Sequence, residues 1–121
     1  METHPSFANG KICYLEIPSR DIKESSSFYH NVFGWRIRIR SDGSTAFDDG
    51  VNEVSGTWKK DRKPVTEKSI LVYIMVDDIE ASMQLVTANG GKIVQELGMD
   101  APEITAHFSD PSGNVFGLFQ Q

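Results

Sequence analysis

The stretch "DIKESSSFYHNVFGW", residues 21–35, decides the fold, because the stretch "DIEASMQLVTANGGK", residues 78–92, repeats its plan 57 positions later. Each begins with acidic residues suited to capping a helix, continues with apolar residues at helical spacing and reaches glycine at its end. We expect the second helix to start at Asp77-x-x-Glu80. Apolar segments that predict strands precede both helices. The chain therefore contains an internal repeat.

Further strands follow each helix. Residues 35–40 and 92–95 alternate between apolar and polar side chains, which is typical of half-buried strands. The last strand of each half carries a glycine, and a shift of 61 positions superposes Gly56 on Gly117. Each half therefore predicts one strand, one helix and three further strands.

Several motifs resemble those of the vicinal oxygen chelate superfamily, the glyoxalase, bleomycin-resistance and extradiol-dioxygenase group. The first helix resembles it through Phe28-Tyr29-x-x-Val32-Phe33-Gly34-Trp35. The second half does so through Val76-Asp77-Asp78-Ile79, Gly90-Gly91 and Asp110-Pro111-x-Gly113-Asn114. The resemblance implies an α+β fold in which two βαβββ modules form curved mixed sheets around a cavity. We expect one domain over residues 1–121, with modules at about 10–62 and 68–121.

The resemblance also implies where metal ligands would stand. Metal-dependent members take ligands from the first and last strands of each module, and these positions fall here on Tyr14, Leu71, Gly56 and Gly117. Borderline divalent ions prefer imidazole, thiolate or carboxylate ligands, and a catalytic site generally needs three protein ligands. We therefore expect no metal site and no other cofactor.

Strand alternation predicts which side chains line the implied cavity. If Leu15 and Ile17 pack on the helix, Tyr14 and Glu16 face the cavity. The same argument, extended to the other strands, yields an aromatic pocket with one carboxylate and one imidazole. The predicted ligand-binding residues are Tyr14, Glu16, Gly56, Trp58, Leu71, Tyr73, His107, Gly117 and Phe119.

Several of these residues have a second interpretation. Glu16 can lie at a solvent-exposed edge, His107 can be structural, and Trp58 can anchor a dimer interface. Gly117 can permit a bulge or a close backbone contact instead of making room for a ligand.

Composition excludes some partners. The net charge of −5 and the pI of about 5.1 argue against nucleic acid and anionic membranes, and the longest apolar run, residues 70–76, is too short to span a bilayer. No secretory signal is visible, and the lone Cys13 is consistent with a cytoplasmic location. The acidic balance predicts a cleft that prefers cationic or neutral aromatic ligands.

Three hypotheses for function remain. The first is metal-independent binding of a small, partly aromatic or apolar molecule. The second is an enzyme: a lyase or isomerase with Glu16 as general base, or a dioxygenase-like protein with a relocated metal site built on Glu16 and His107. The third is an association module whose pocket is unused. Members of the family often close their cavities by pairing two chains, so we expect a homodimer.

Overall fold

The structure, a computed structural model, describes residues 5–66 and 69–121. These residues form eight strands and two helices. The first half contains β1 (Tyr14–Pro18), α1 (Ile22–Phe33), β2 (Arg36–Ile39), β3 (Thr45–Asp48) and β4 (Ser55–Lys59). The second half contains β5 (Tyr73–Met75), α2 (Ile79–Ala88), β6 (Lys92–Gln95), β7 (Ile104–Ser109) and β8 (Val115–Gln120). The expected βαβββ repeat is confirmed, while the expected boundaries at residues 1 and 68 lie outside the described residues.

Each module builds its own mixed sheet of four strands. The strand orders are β1-β4-β3-β2 and β5-β8-β7-β6. In both sheets the first and last strands of the module pair in parallel, and the other neighbours pair antiparallel. Both sheets remain open, with their first strands at an edge, so the described chain forms no closed barrel.

Both helices start at an aspartate that caps them. The Asp21 carboxylate accepts a hydrogen bond from the Glu24 amide at 3.1 Å, and α1 ends at Gly34 with φ of 72°. The Asp78 carboxylate accepts from the Ala81 amide at 3.1 Å. The predicted start at Asp77 is therefore wrong by one residue, because an N-cap side chain reaches the amide three residues later.

A single aromatic core connects the two modules. Tyr29 of α1 is fully buried, and its ring stacks on that of Trp35 with the centroids 4.6 Å apart. The same ring lies 5.7 Å from the ring of Phe116, which belongs to the second sheet. Phe28 similarly contacts Phe108 of β7 at 5.9 Å. Burial of each large apolar side chain contributes roughly 1.5–3 kcal/mol, so this core holds the modules together.

The turn between β7 and β8 forms a polar joint between the modules. The buried Asn114 side chain donates to the Pro18 carbonyl at 2.7 Å and accepts from the Val65 amide at 2.9 Å. The Tyr29 hydroxyl donates to the Asp110 carboxylate at 2.9 Å. Burial raises the pKa of Asp110, against the opposing effect of hydrogen bonds from Asn114 and Tyr29, and burial likewise raises the pKa of Tyr29.

The corresponding turn of the first module is one residue longer. The Asp49 amide donates to the Val54 carbonyl at 2.8 Å, whereas the Asp110 amide donates to the Asn114 carbonyl at the same distance. The first turn therefore closes over residues 49–54 and the second over residues 110–114.

This extra residue corrects the predicted alignment of the glycines. Antiparallel pairing joins Phe47 to Gly56 in the first sheet and Phe108 to Phe116 in the second. The modules therefore align at a shift of 61 before the turn and of 60 after it. Gly56 corresponds to Phe116 and not to Gly117, and a slip of one residue moves a side chain to the opposite face of its sheet.

Candidate functional site

Each sheet has one face that packs on the helices and one that turns away from them, which we call the open face. Register and alternation assign the residues to these faces. The open face of the first sheet carries Tyr14, Glu16, Arg36, Arg38, Ala46, Asp48, Ser55 and Thr57. The open face of the second sheet carries Tyr73, Met75, Thr105, His107, Gly117 and Phe119.

A hydrogen-bonded ion pair joins β2 to β3 on the first open face. Arg38 donates from Nε and Nη2 to the two Asp48 oxygens, at 2.9 and 3.0 Å. Ser55 donates its hydroxyl to the same carboxylate at 2.7 Å. The hydrogen bonds from Arg38 hold the pKa of Asp48 below its ordinary value, despite partial burial. Asp48 is therefore fixed as a carboxylate near neutral pH.

Two arginine side chains contact Glu16 and Tyr14, the residues of this face that alternation assigned to the site. Glu16 forms an ion pair with Arg62, with the oxygen and nitrogen 2.6 Å apart. The Arg40 guanidinium donates to the Tyr14 hydroxyl and lies 5.6 Å from the centre of the Tyr14 ring. Tyr14 and Arg40 thus meet above the middle strands of the sheet from its opposite edges.

An aromatic pair occupies the second open face. The Tyr73 ring lies against Gly117 of β8, where an added Cβ would stand only 2.3 Å from the ring. The Tyr73 hydroxyl and His107 Nε2 are 3.0 Å apart and share a hydrogen bond. His107 is buried, while Tyr73 keeps 43% of its surface exposed. The glycine therefore makes room for a tyrosine ring of the same chain.

Other residues complete this face. Phe119 is half-buried and pairs with Thr105, whose hydroxyl donates to the Asp100 carboxylate at 2.6 Å. Leu71 lies just before β5 and is half-buried. Tyr73, His107, Gly117 and Phe119 therefore share one face, as alternation predicted.

The face predicted for Gly56 and Trp58 is wrong. Gly56 lies beside Leu15 and Phe47 on the helix side, and an added Cβ would stand 2.2 Å from the Leu15 carbonyl oxygen. Trp58 is 2% exposed, and its ring lies 4.9 Å from that of Phe47. Both residues belong to the core, because Gly56 of β4 corresponds to Phe116 of β8 and not to Gly117, as the sequence alignment had assumed.

The sequence reasoning missed the two arginines of β2 and a third that directly follows it. Arg36, Arg38 and Arg40 alternate with Ile37 and Ile39, and this pattern alone places three guanidiniums on one face.

The family model for the Glyoxalase/Bleomycin resistance protein/Dioxygenase superfamily matches residues 11–118. The chain belongs to this superfamily. A glyoxylase-like domain-containing protein from Didymella fabae is 28% identical, and the match covers 91% of this chain and 93% of that protein. A probable lactoylglutathione lyase from Vibrio parahaemolyticus serotype O3:K6 (strain RIMD 2210633) is 25% identical, with 93% and 92% covered. A solved superfamily member from Sphaerobacter thermophilus DSM 20745 has a TM-score of 0.73 at 18% identity, covering 93% of this chain and 98% of that one.

The residues of this superfamily member do not fit the metal site that the resemblance implies. The corrected register moves the last-strand position of the first module from Gly56 to Thr57, so the four positions are Tyr14, Thr57, Leu71 and Gly117. These residues supply neither imidazole nor carboxylate. Among residues 5–66 and 69–121, no three His, Cys, Asp or Glu side chains are grouped to hold an ion. Glu16 and His107, the proposed relocated ligands, lie in different sheets.

A separate cleft of about 700 Å³ opens on the helix side, where the modules meet. Its walls include Phe33, Val51, Ile74 and Leu85. It shares Tyr73 and Met75 with the second open face but contains neither Glu16 nor His107, so it differs from the predicted cavity. Neither helix of the described chain is long and apolar enough to cross a membrane.

Proposed function

We propose that this superfamily member binds a small, partly aromatic molecule on its open faces without a metal ion. The observation that carries this proposal is the Tyr73 ring, which lies over Gly117 with its hydroxyl held at 3.0 Å from His107 Nε2. A half-exposed ring offers a flat apolar surface, and the adjoining hydroxyl and imidazole offer polar groups that fix orientation.

The absence of suitable ligand chemistry at Tyr14, Thr57, Leu71 and Gly117 supports metal-independent binding. Purified protein should therefore contain no stoichiometric Zn, Ni, Mn or Fe after dialysis, as measured by elemental analysis. A full equivalent of any of these metals would contradict the proposal.

We propose that two chains pair to enclose the site. Tyr14 is 42% exposed, Tyr73 43% and Met75 66%, so large apolar side chains of both open faces are uncovered within one chain. Light scattering at micromolar concentration should show twice the chain mass of 13.5 kDa. A monomer at that concentration would contradict this pairing.

A thermal-shift screen of metal-free protein against aromatic metabolites tests the binding itself, because a ligand of the native state raises Tm with its concentration. Any stabilisation should disappear in Tyr73→Ala, which removes the aromatic surface. Ile70→Ala is the matched control, since Ile70 is 85% exposed and precedes β5. Equal loss of the shift in both variants would contradict binding at Tyr73.

An enzyme is the second candidate, because one relative is named a probable lactoylglutathione lyase. In this proposal Glu16 acts as general base, and Arg62 must first release its carboxylate. Lactoylglutathione lyase activity in metal-free protein that is lost in Glu16→Gln would favour the enzyme over the binder. A relocated metal site would instead require Glu16 and His107 to meet across two chains.

Pure protein association is the third candidate, and it accounts for the exposed apolar side chains equally well. It predicts a stable assembly whose Tm no small molecule raises. We place the binding function in the cytoplasm, because a lone exposed Cys13 suits a reducing compartment.

A further inference from the structure

We propose that the ligand carries a negatively charged group, a carboxylate or a phosphate, which the guanidiniums of Arg36, Arg38 and Arg40 hold on the open face of the first sheet. This inference rests on the proposed function, since it specifies the ligand of the same site.

Pairing with β3 places these arginines on one face. Arg36 pairs with Asp48, and Arg38 pairs with Ala46, so both side chains point away from the helices. The Arg40 amide donates to the Ser44 carbonyl at 2.8 Å, which extends the ladder by one more pair. The three side chains therefore leave the backbone in a row on the open side of β2 and of residue 40, which continues it.

Positive charge exceeds negative charge on this face, in a chain whose net charge is −5. Its two carboxylates, Glu16 and Asp48, are each already paired, with Arg62 and Arg38. Arg36 also attracts Asp48, with which it pairs across the strands, so one carboxylate serves two arginines and the face keeps an excess of positive charge. Asp42 also interacts with Arg40, and its pKa is lowered mainly by the Ser44 hydroxyl and to a lesser extent by Arg40. A ligand anion would therefore gain attraction here, contrary to the acidic cleft expected from composition.

Charged side chains on an edge strand can also serve only to prevent aggregation. The position of Arg40 favours a binding role, because its side chain lies back over the sheet against the Tyr14 ring and is half-buried. The sheet beneath these arginines is built of small side chains, because Arg38 pairs with Ala46 of β3 and Ala46 pairs with Thr57 of β4. A guanidinium binds carboxylate or phosphate through two parallel N–H donors, and Tyr14 can stack on an adjoining ring.

Four probes of similar size and different charge test the inference: phenyl phosphate, benzoate, benzyl alcohol and benzylamine. Calorimetry measures their affinities, and amide NMR shifts locate the binding site. We expect both anions to bind at least about tenfold more tightly than benzyl alcohol, with benzylamine weakest. Affinity for the anions should fall as salt is added, because exposed charges are screened.

The double variant Arg36→Gln/Arg40→Gln should weaken phenyl phosphate binding by at least about tenfold and leave benzyl alcohol binding unchanged. Arg20→Gln is the matched control, because it removes one charge from an exposed arginine paired with Glu24 on the loop before α1. Circular dichroism verifies folding, and Arg36→Gln alone replaces the double variant if the latter does not fold.

Three results would overturn the inference. If benzylamine binds as tightly as phenyl phosphate, the site has no preference for anions. If Arg20→Gln weakens phenyl phosphate binding as much as the double variant does, the anion is not held by Arg36 and Arg40. In both cases binding of the neutral probe at Tyr73 would still support the proposed function. Failure of all four probes to shift open-face amides at millimolar concentration would overturn both proposals together.

Discussion

The two modules share one topology but present different chemistry on their open faces. In the first sheet, ion pairs dominate, with Arg38 bound to Asp48 and Glu16 bound to Arg62. In the second sheet, the Tyr73 ring and the buried His107 occupy the corresponding face. The helix-side faces are alike, because both must fill a common core. The modules therefore share one mode of packing, while their open faces differ in charge and in aromatic content.

The two strand glycines make the same contrast at single-residue scale. Gly56 lies in the core, where a Cβ would stand 2.2 Å from a backbone oxygen, and 2.4 Å from the buried Phe47 ring. Gly117 lies on the open face, where the three atoms nearest to an added Cβ all belong to the half-exposed Tyr73 ring. A backbone atom cannot move aside easily, whereas an exposed ring can change its rotamer.

The largest effect is expected from Gly56→Ala. Its methyl group would press on the Leu15 carbonyl and on Phe47, so we expect a loss of about 3 kcal/mol or more of unfolding free energy. Gly117→Ala, the control, should lose no more than about 1 kcal/mol, because Tyr73 can swing outward. Urea unfolding of both variants measures the difference. Equal losses would contradict the assignment of the two glycines to different faces.

Next in size is the contrast between the two turns. Asn114→Ala removes buried hydrogen bonds to Pro18 and Val65, and should cost about 2–3 kcal/mol. Asp49→Ala removes two bonds to amides of a half-buried turn, and should cost about 1 kcal/mol. Thermal melts compare the two variants. A larger loss at Asp49 would show that the second turn does not join the modules as described.

A smaller effect on stability, but a large one on binding, is expected from Gly117→Leu. The larger side chain should displace Tyr73 from β8 and break its hydrogen bond to His107 at a cost of about 1 kcal/mol. Binding of an aromatic probe at the second open face should fall below detection in an NMR titration. Retained binding would show that the position of the Tyr73 ring against Gly117 is not needed for binding.

The smallest effects concern pH. The folded-state pKa of Asp48 is lowered from 3.8, so its stabilising contribution is present above that value and is lost as pH falls through the lowered pKa. The folded-state pKa of Asp110 is raised from 3.8, so its contribution declines as pH rises from 3.8 through the raised value. Asp48→Asn should therefore reduce the acid-induced loss of stability, and Asp110→Asn should increase it, each by about 1 kcal/mol or less.

Melting curves between pH 3 and pH 7 measure how the stability of each variant depends on pH. Asp61→Asn, in an exposed loop, is the control. Changes of the same sign in the Asp48 and Asp110 variants would contradict the described environments.

The repeat and the capped helices made the fold predictable, because helical spacing and glycine stops depend on local sequence. The alternation of apolar and polar residues could not predict the length of the turn at residues 49–54. Alternation describes each strand separately and contains no information on how many residues connect two strands. Because both last strands contain Val-x-Gly, the sequence alignment matched Gly56 to Gly117. This match assigned Trp58 to the wrong face of its sheet. The contact between Tyr73 and Gly117 depends on strand pairing across 44 positions, which local patterns do not encode.

The bonds of Val65 have a consequence for how chains can exchange parts. Its amide donates to the Asn114 side chain and its carbonyl accepts from the Val115 amide at 2.7 Å, so the connection between the modules is fastened midway to the second sheet. Domain swapping between two chains requires the segment that connects the modules to detach and extend. Here the hydrogen bonds of Val65 hold that segment against the second sheet. Trading would require release of Asn114, which also holds Pro18 of the first module. If two chains associate, we expect them to do so as folded monomers without domain swapping. Subunit exchange between dimers should then be fast, because it does not require unfolding.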